Sequence, residues 1–198
     1  MPHRFRPALT GTSAPWVYFV PAGTAGVRQE LTELRAKGGQ VHHFAAESLL
    51  TRRSVHETFA RTLRFPDYYG HNWDALVDCL DDLCEEVTGG VGIVGVVRDT
   101  GAALLAADHF PLFVSVLCQG ADRANASADL DGFPQARPAT AQHFVFESTV
   151  SAGPAGSAPG DWAGEQERIA RRVAEEPGLV VTSGDGFVAA QLDPSIWR

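Results

Sequence analysis

Phe65-Pro-Asp-Tyr-Tyr-Gly-His-Asn-Trp-Asp-Ala-Leu-Val-Asp-Cys-Leu-Asp-Asp-Leu-Cys-Glu-Glu-Val87 decides the reading of this chain. At about 100° per residue, the run from Trp73 to Val87 sorts into two faces of a helix. Trp73, Leu76, Val77, Leu80, Leu83, Cys84 and Val87 share one face; Asp74, Asp78, Asp81, Asp82, Glu85 and Glu86 share the other. Between Phe65 and Val97 there are seven carboxylates and no Lys or Arg, so nothing local neutralises the acidic face. Like charges three and four residues apart destabilise a helix by a few tenths of a kcal/mol per pair. A helix that needed only solubility would interleave cations. The pattern points to a positively charged partner.

The residues before the helix have local jobs. Pro66 disfavours helical geometry at Phe65 and so ends whatever helix precedes it. Gly70 is expected to supply a turn with positive φ. Asn72 is a good N-cap, and Asp74 then lies in the first turn, where the helix dipole favours a carboxylate. The plain alternative makes the acids a solvated face, but it leaves the missing Lys and Arg unexplained.

Composition narrows the function classes. A net charge of −8 over 198 residues argues against sequence-independent nucleic-acid binding, which needs cations on phosphates. The segment Met1-Pro-His-Arg-Phe-Arg-Pro7 is followed by no apolar run long enough for a signal peptide. No segment approaches the ~18 apolar residues of a membrane span. Three cysteines, two of them on the acidic helix, fit a reduced cytoplasmic protein. The Asn125-Ala-Ser127 sequon carries little weight in such a protein.

Strands and helices alternate along the chain. Strands are expected at Trp16–Val20, Gln40–Ala45, Val91–Val97 and Gln142–Glu147. Helices are expected at Thr24–Lys37 (closed by Gly38-Gly39), Ser54–Arg64, Trp73–Val87, Gly101–Ala107 and Pro111–Ala124. Asn125–Thr140 reads as a loop, and the Gly, Pro, Ser and Ala of Ser151–Gly160 as a flexible linker. Beyond it come a helix over Trp162–Glu176 and a hairpin turning at Gly184-Asp185-Gly186. This order implies a mainly parallel sheet covered by helices.

Several motifs fail on context. Gly90-Val-Gly92-Ile-Val-Gly95 has the letters of a dinucleotide fingerprint, but that fingerprint needs a strand before it and a helix opening on it. Here an acidic helix precedes, and the glycines fall inside a strand, where small residues packing beneath a helix is the simpler reading. His42 and His43 point to opposite faces of a strand and cannot share one metal ion locally. Asp81-Asp82 with Glu85-Glu86 lack the Gly-bearing loop of a Ca²⁺ site. No Ser or Cys sits in a nucleophile elbow. The thiolate of Cys79 would be disfavoured by its carboxylate neighbours.

The sequence Phe65-Pro66-Asp67-Tyr68-Tyr69-Gly70, with Asn72, Asp74-Ala75-Leu76 and Asp78-Cys79-Leu80 at fixed spacing, resembles the signature of the barstar family. Barstars are intracellular inhibitors of small secreted guanyl-specific ribonucleases such as barnase. The close motif spans about sixteen residues, and the order of elements fits from Gln40 to Val150. The resemblance implies an α/β fold with three core parallel strands covered by helices: Gln40–Ala45, Val91–Val97 and Gln142–Glu147. Residues 1–39 would extend that sheet by one strand and a helix, 40–150 would be the barstar-like domain, 151–161 a linker, and 162–198 a helix-hairpin extension.

By the same resemblance the chain is an inhibitor and not an enzyme. It would need no cofactor and no metal, and would form a one-to-one complex with a basic extracellular-type ribonuclease. It would not bind nucleic acid or membrane. Tyr68, Asp74 and Asp78 match partner contacts, with Asp78 the carboxylate that enters the phosphate pocket. Tyr69, Gly70 and Asn72 belong to the loop that shapes this surface, and Gln119 and Asp122 lie near a further contact on a later helix. Val77, Asp81 and Asp82 also match the partner-facing surface, although here the sequence departs from the family: Val77 replaces a Trp, and Asp81-Asp82-Leu83 replaces Thr-Gly-Trp. Two other readings stand beside this one: a barstar-like immunity or binding module for another basic protein, such as a toxin nuclease, and a metal-dependent hydrolase built on the acidic helix.

Overall fold

In strand β1 (Val17–Pro21) successive side chains leave by opposite faces, and both faces are covered. Val17 and Phe19 enter one apolar cluster, Tyr18 and Val20 the other. The same alternation holds in β3 (Ile93–Arg98) and β4 (Gln142–Ser148), where Val97, Phe144 and Phe146 face one layer and Val94, Val96 and Val145 the opposite one. Burial on both sides explains why these strands read as continuous apolar runs. The computed structural model describes residues 5–86, 91–126, 139–148 and 162–196, with the backbone alone at 84–86.

The sheet has six strands in the order β2-β3-β4-β1-β6-β5, with β2 at Gln40–Ala45, β5 at Leu179–Gly184 and β6 at Phe187–Leu192. β2, β3, β4 and β1 run parallel, while β6 pairs antiparallel with both β1 and β5. The three core strands and the added N-terminal strand lie where the alternation of elements places them. The C-terminal hairpin does not stand apart: β6 adds to the same sheet against β1.

Helix α1 (Ala25–Ala36) covers one face through Val27, Leu31 and Leu34. On the other face lie α2 (Arg52–Leu63), α3 (Trp73–Glu86), the short α4 (Ala102–Leu105), α5 (Phe110–Asn125) and α6 (Trp162–Val173). The Phe59 ring stacks on Phe44 at 4.5 Å and meets Phe113 edge-on at 5.5 Å, tying α2 to the sheet and to α5. The C-terminal helix is fastened by Arg172, which donates to the carbonyls of Leu105 and Ala107 at 2.8 Å each. No helix among the described residues is long and apolar enough to cross a membrane.

Of the nucleotide-like fingerprint's glycines, Gly95 falls inside β3 and has a packing role, whereas Gly92 precedes the strand, at φ 138° and with the Ala141 carbonyl oxygen 2.7 Å from where a Cβ would stand. A Cβ on Gly95 would lie 2.7 Å from the Phe144 ring and 3.3 Å from that of Phe44, so the space is filled by aromatic rings from neighbouring strands. Gly90 lies outside the described residues, as do Val87, the 151–161 stretch and most of the loop after Asn125.

Candidate functional site

The acidic helix is set in place by its approach loop. Helix α2 ends at Leu63, with Arg64 in the left-handed conformation (φ 57°, ψ 45°) and the Phe65 amide donating back to the Ala60 carbonyl at 3.0 Å. Pro66 then prevents any continuation, and its carbonyl accepts the Tyr69 amide at 2.9 Å. The residue held at positive φ in the next turn is His71 (φ 50°), not Gly70. Gly70 answers to a close approach instead, since a Cβ there would sit 3.0 Å from the Asn72 amide nitrogen. Asn72 caps α3 as expected, its Oδ1 accepting the Ala75 amide at 2.8 Å.

The expected site residues divide by exposure. Tyr68 is 79% exposed, and Gly70, Asn72, Asp74, Asp78 and Asp82 are also at the surface, while Asp81 is half-buried. Asp74, Asp78 and Asp82 are spaced four residues apart, which puts their carboxylates on one stripe with a rise of about 6 Å per step. A hollow of about 280 Å³ lies between Tyr68 and Asp82, with Cys79 and Leu83 among its walls.

Tyr69 and Val77 are inside, at 6% and 4% exposure, so neither offers a surface to a partner. Val77 packs with Leu76 and Leu80, the side on which the helical wheel alone puts it. Tyr69 acts behind the loop. Its hydroxyl lies 2.6 Å from His56 Nδ1, and its ring meets Phe65 edge-on at 5.0 Å. Burial is the main cause that pushes the Tyr69 hydroxyl pKa upward. It also raises that of the Cys79 thiol, with smaller contributions from Asp82 and Asp78, so the thiol of this buried cysteine stays protonated and unreactive.

Helix α5 forms the other wall. It approaches α3 so closely that a Cβ on Gly120 would lie 2.7 Å from the Leu80 Cβ. This brings Arg123 against the stripe, where its Nη1 donates to Asp78 Oδ1 at 2.9 Å. Gln119 lies one turn earlier on the same side and donates to the Ser115 hydroxyl at 3.3 Å. Asp122 is turned away and accepts from the Trp16 indole at 3.2 Å, so it is not brought into the acidic group. Arg123 is the residue that sequence reasoning missed. The acidic run has no cation of its own, but the fold supplies one from 45 positions downstream. The signal was its i,i+4 relation to Gln119.

Among the described residues no group of three or more His, Cys, Asp or Glu side chains could hold a metal ion. His42 and His43 are each engaged separately, with Gln40 at 3.1 Å and Arg35 at 3.2 Å.

Residues 39–133 match the family model described as Barstar (barnase inhibitor). No curated protein matches the chain. The matched segment runs from β2 through α5 and takes in the capped loop, the acidic helix and the helix bearing Arg123. Residues 39–133 therefore belong to the barstar family.

Proposed function

We propose that this protein inhibits a small guanyl-specific ribonuclease by laying α3 across its active site. The match of residues 39–133 to the family model described as Barstar (barnase inhibitor) supports an inhibitor that binds a ribonuclease. The observation that supports the mechanism is the stripe of Asp74, Asp78 and Asp82 beside the outstanding Tyr68 ring. An enzyme that cleaves RNA holds phosphates with Arg, Lys and His in a cleft. Carboxylates repeated along a rigid helix occupy those subsites as a mimic of the polyanion, and the body of the inhibitor blocks the cleft. Opposite potentials accelerate encounter. Charge-assisted hydrogen bonds, once desolvated, slow release. Cys79 and Cys118 are buried and both thiols are held protonated chiefly by burial, which supports inhibition by occlusion rather than by thiol chemistry. Two free buried thiols suit a reducing compartment, and the cytoplasm is the place we assign.

A second reading has a specific observation behind it. Val77 is buried and Leu83 half-buried, where the family carries Trp at both positions, and Asp81 and Asp82 are additional acids. Fewer aromatic anchors and more charge suit another basic partner, such as the nuclease domain of a toxin.

Titrating the purified protein into a panel of guanyl-specific ribonucleases and toxin nucleases tests both. The expected result is loss of ribonuclease activity at one-to-one stoichiometry, with no nuclease activity from the protein alone. Inhibition of toxin nucleases only would select the second reading, and inhibition of none would remove both.

A further inference from the structure

Resting on that reading, we infer that the interface has a second half of opposite sign: a hollow at the start of α2 that receives a carboxylate of the same basic partner. The hollow measures about 380 Å³ and is lined by Arg52, Arg53, His56, His71, Asn72 and Trp73. In a chain of net charge −8 its lining carries two guanidinium groups and no acid, with one carboxylate, Glu57, beside Arg53 and His71. Arg53 is held by Glu57 at 2.6 Å, but among the described residues no carboxylate pairs with Arg52. Trp73 forms a half-buried wall, its ring 4.7 Å from that of His56. His71 reaches the hollow from a left-handed backbone (φ 50°), a conformation that a non-glycine residue adopts at a cost and that concentrates at binding sites.

Position makes this hollow part of the docking face. Trp73 precedes Asp78 by five residues, or about 7.5 Å along the helix axis. A standard interface covers about 800 Å² per partner, a disc of roughly 16 Å radius. Trp73 leaves α3 on the side away from Asp78, but His71 and Asn72, in the loop between Tyr68 and Asp74, are walls of the hollow. A partner seated on that loop and on Asp78 therefore covers its mouth and takes Arg52 out of water. A desolvated cation without a counter-charge is costly, so a partner that fits must place an anion there. A planar carboxylate matches the guanidinium fork. The partner is then basic where it meets α3 and acidic about one helix turn away, and this sequence of signs fixes its register and excludes uniformly basic proteins.

Charge reversal at Arg52 tests the inference, because the two electrostatic accounts predict opposite signs. Arg52→Glu takes the net charge from −8 to −10. If only the overall field mattered, a basic ribonuclease would bind the variant more tightly. If the hollow receives a carboxylate, like charges meet, and binding should weaken by about tenfold or more. The first turn of α2 tolerates an acid, since the helix dipole favours it, so the fold should persist. Arg28→Glu, exposed on α1 across the sheet, makes the same change of charge and should not weaken binding. Asp78→Ala is measured alongside, with a ribonuclease that the wild-type protein inhibits. Weakening by Asp78→Ala and Arg52→Glu but not by Arg28→Glu is the expected result. Wild-type or tighter binding by Arg52→Glu, or equal weakening by both reversals, overturns the inference and leaves the proposed function standing. An unaffected Asp78→Ala overturns the proposed function and the inference with it.

Discussion

Removing the two partners of the Asp78–Arg123 pair should have opposite effects on binding. In the free protein their side chains are 67% and 45% exposed at an N–O distance of 2.9 Å. A pair so exposed contributes about 0.2–1 kcal/mol. Asp78 is also repelled by Asp74, Asp81 and Asp82, at a few tenths of a kcal/mol each. Truncating it therefore gives two small terms of opposite sign. At 2–4 °C per kcal/mol for a chain of this size, the melting temperature should move by no more than about 3 °C. In the complex the balance differs. Removing one member of a desolvated charge pair costs roughly 2–5 kcal/mol, a range for which barnase–barstar is itself a reference case. At 1.4 kcal/mol per decade, Asp78→Ala should weaken binding at least about 30-fold. Arg123 competes with the partner's cations for the same carboxylate. Arg123→Ala should tighten binding, by at most about fivefold if the pair is worth up to ~1 kcal/mol. Titration calorimetry and thermal melts on both variants, with a ribonuclease that the wild-type protein inhibits, decide the matter. A loss below threefold for Asp78→Ala would refute the phosphate-mimic role. Equal losses for the two variants would mean that the pair acts as a structural unit.

Association should slow as salt rises from low to moderate concentration while dissociation changes little, because exposed carboxylates are screened over a Debye length of about 10 Å at 0.1 M; stopped-flow rates indifferent to salt would remove α3 as the steering face. Gly120→Ala should destabilise the fold: the new methyl meets Leu80 at 2.7 Å, overpacking costs about 1–3 kcal/mol, and better helix propensity returns up to ~1. A net cost of about 1–2 kcal/mol lowers the melting temperature by roughly 2–8 °C, and a rise would show that α5 can move off α3 freely. Stability should also decline below pH 6.5. His42, His43, His56, His109 and His143 are all held below 6.5, each chiefly by burial, so in that window the unfolded chain binds more protons than the folded one. Urea midpoints at pH 7.5 and 5.5 measure the loss. His56→Gln should flatten the difference, and an unchanged slope would show that His56 does not contribute to it.

Much of this was legible because it rests on local rules. The 3.6-residue period of Trp73–Leu83, the Asn72 cap and the doubly buried run of β3 depend only on residues near one another in sequence. The wheel even placed Val77 correctly, where the family motif drew it into the site. What escaped was long-range. Nothing near Asp78 announces that Arg123 will lie against it, because that contact depends on Gly120 letting two helices meet. The joining of β6 to β1 is equally invisible in the hairpin's own sequence, since a hairpin strand does not encode which sheet accepts its free side. The positive φ at His71 was assigned to Gly70 by residue preference alone, whereas the chain turns one position later and Gly70 lies against the Asn72 side chain.

The position of β1 has a consequence for the chain as it leaves the ribosome. Val17 pairs with Phe144 on one side and with Ala190 on the other, so β1 finds both neighbours only after strands far downstream of it have been made. Until then the apolar residues Val17–Val20 have no sheet to enter, while β2, β3 and the helices between them can already assemble from nearby sequence. Pairings this distant are slow to form, and a waiting apolar strand is prone to pair with another chain.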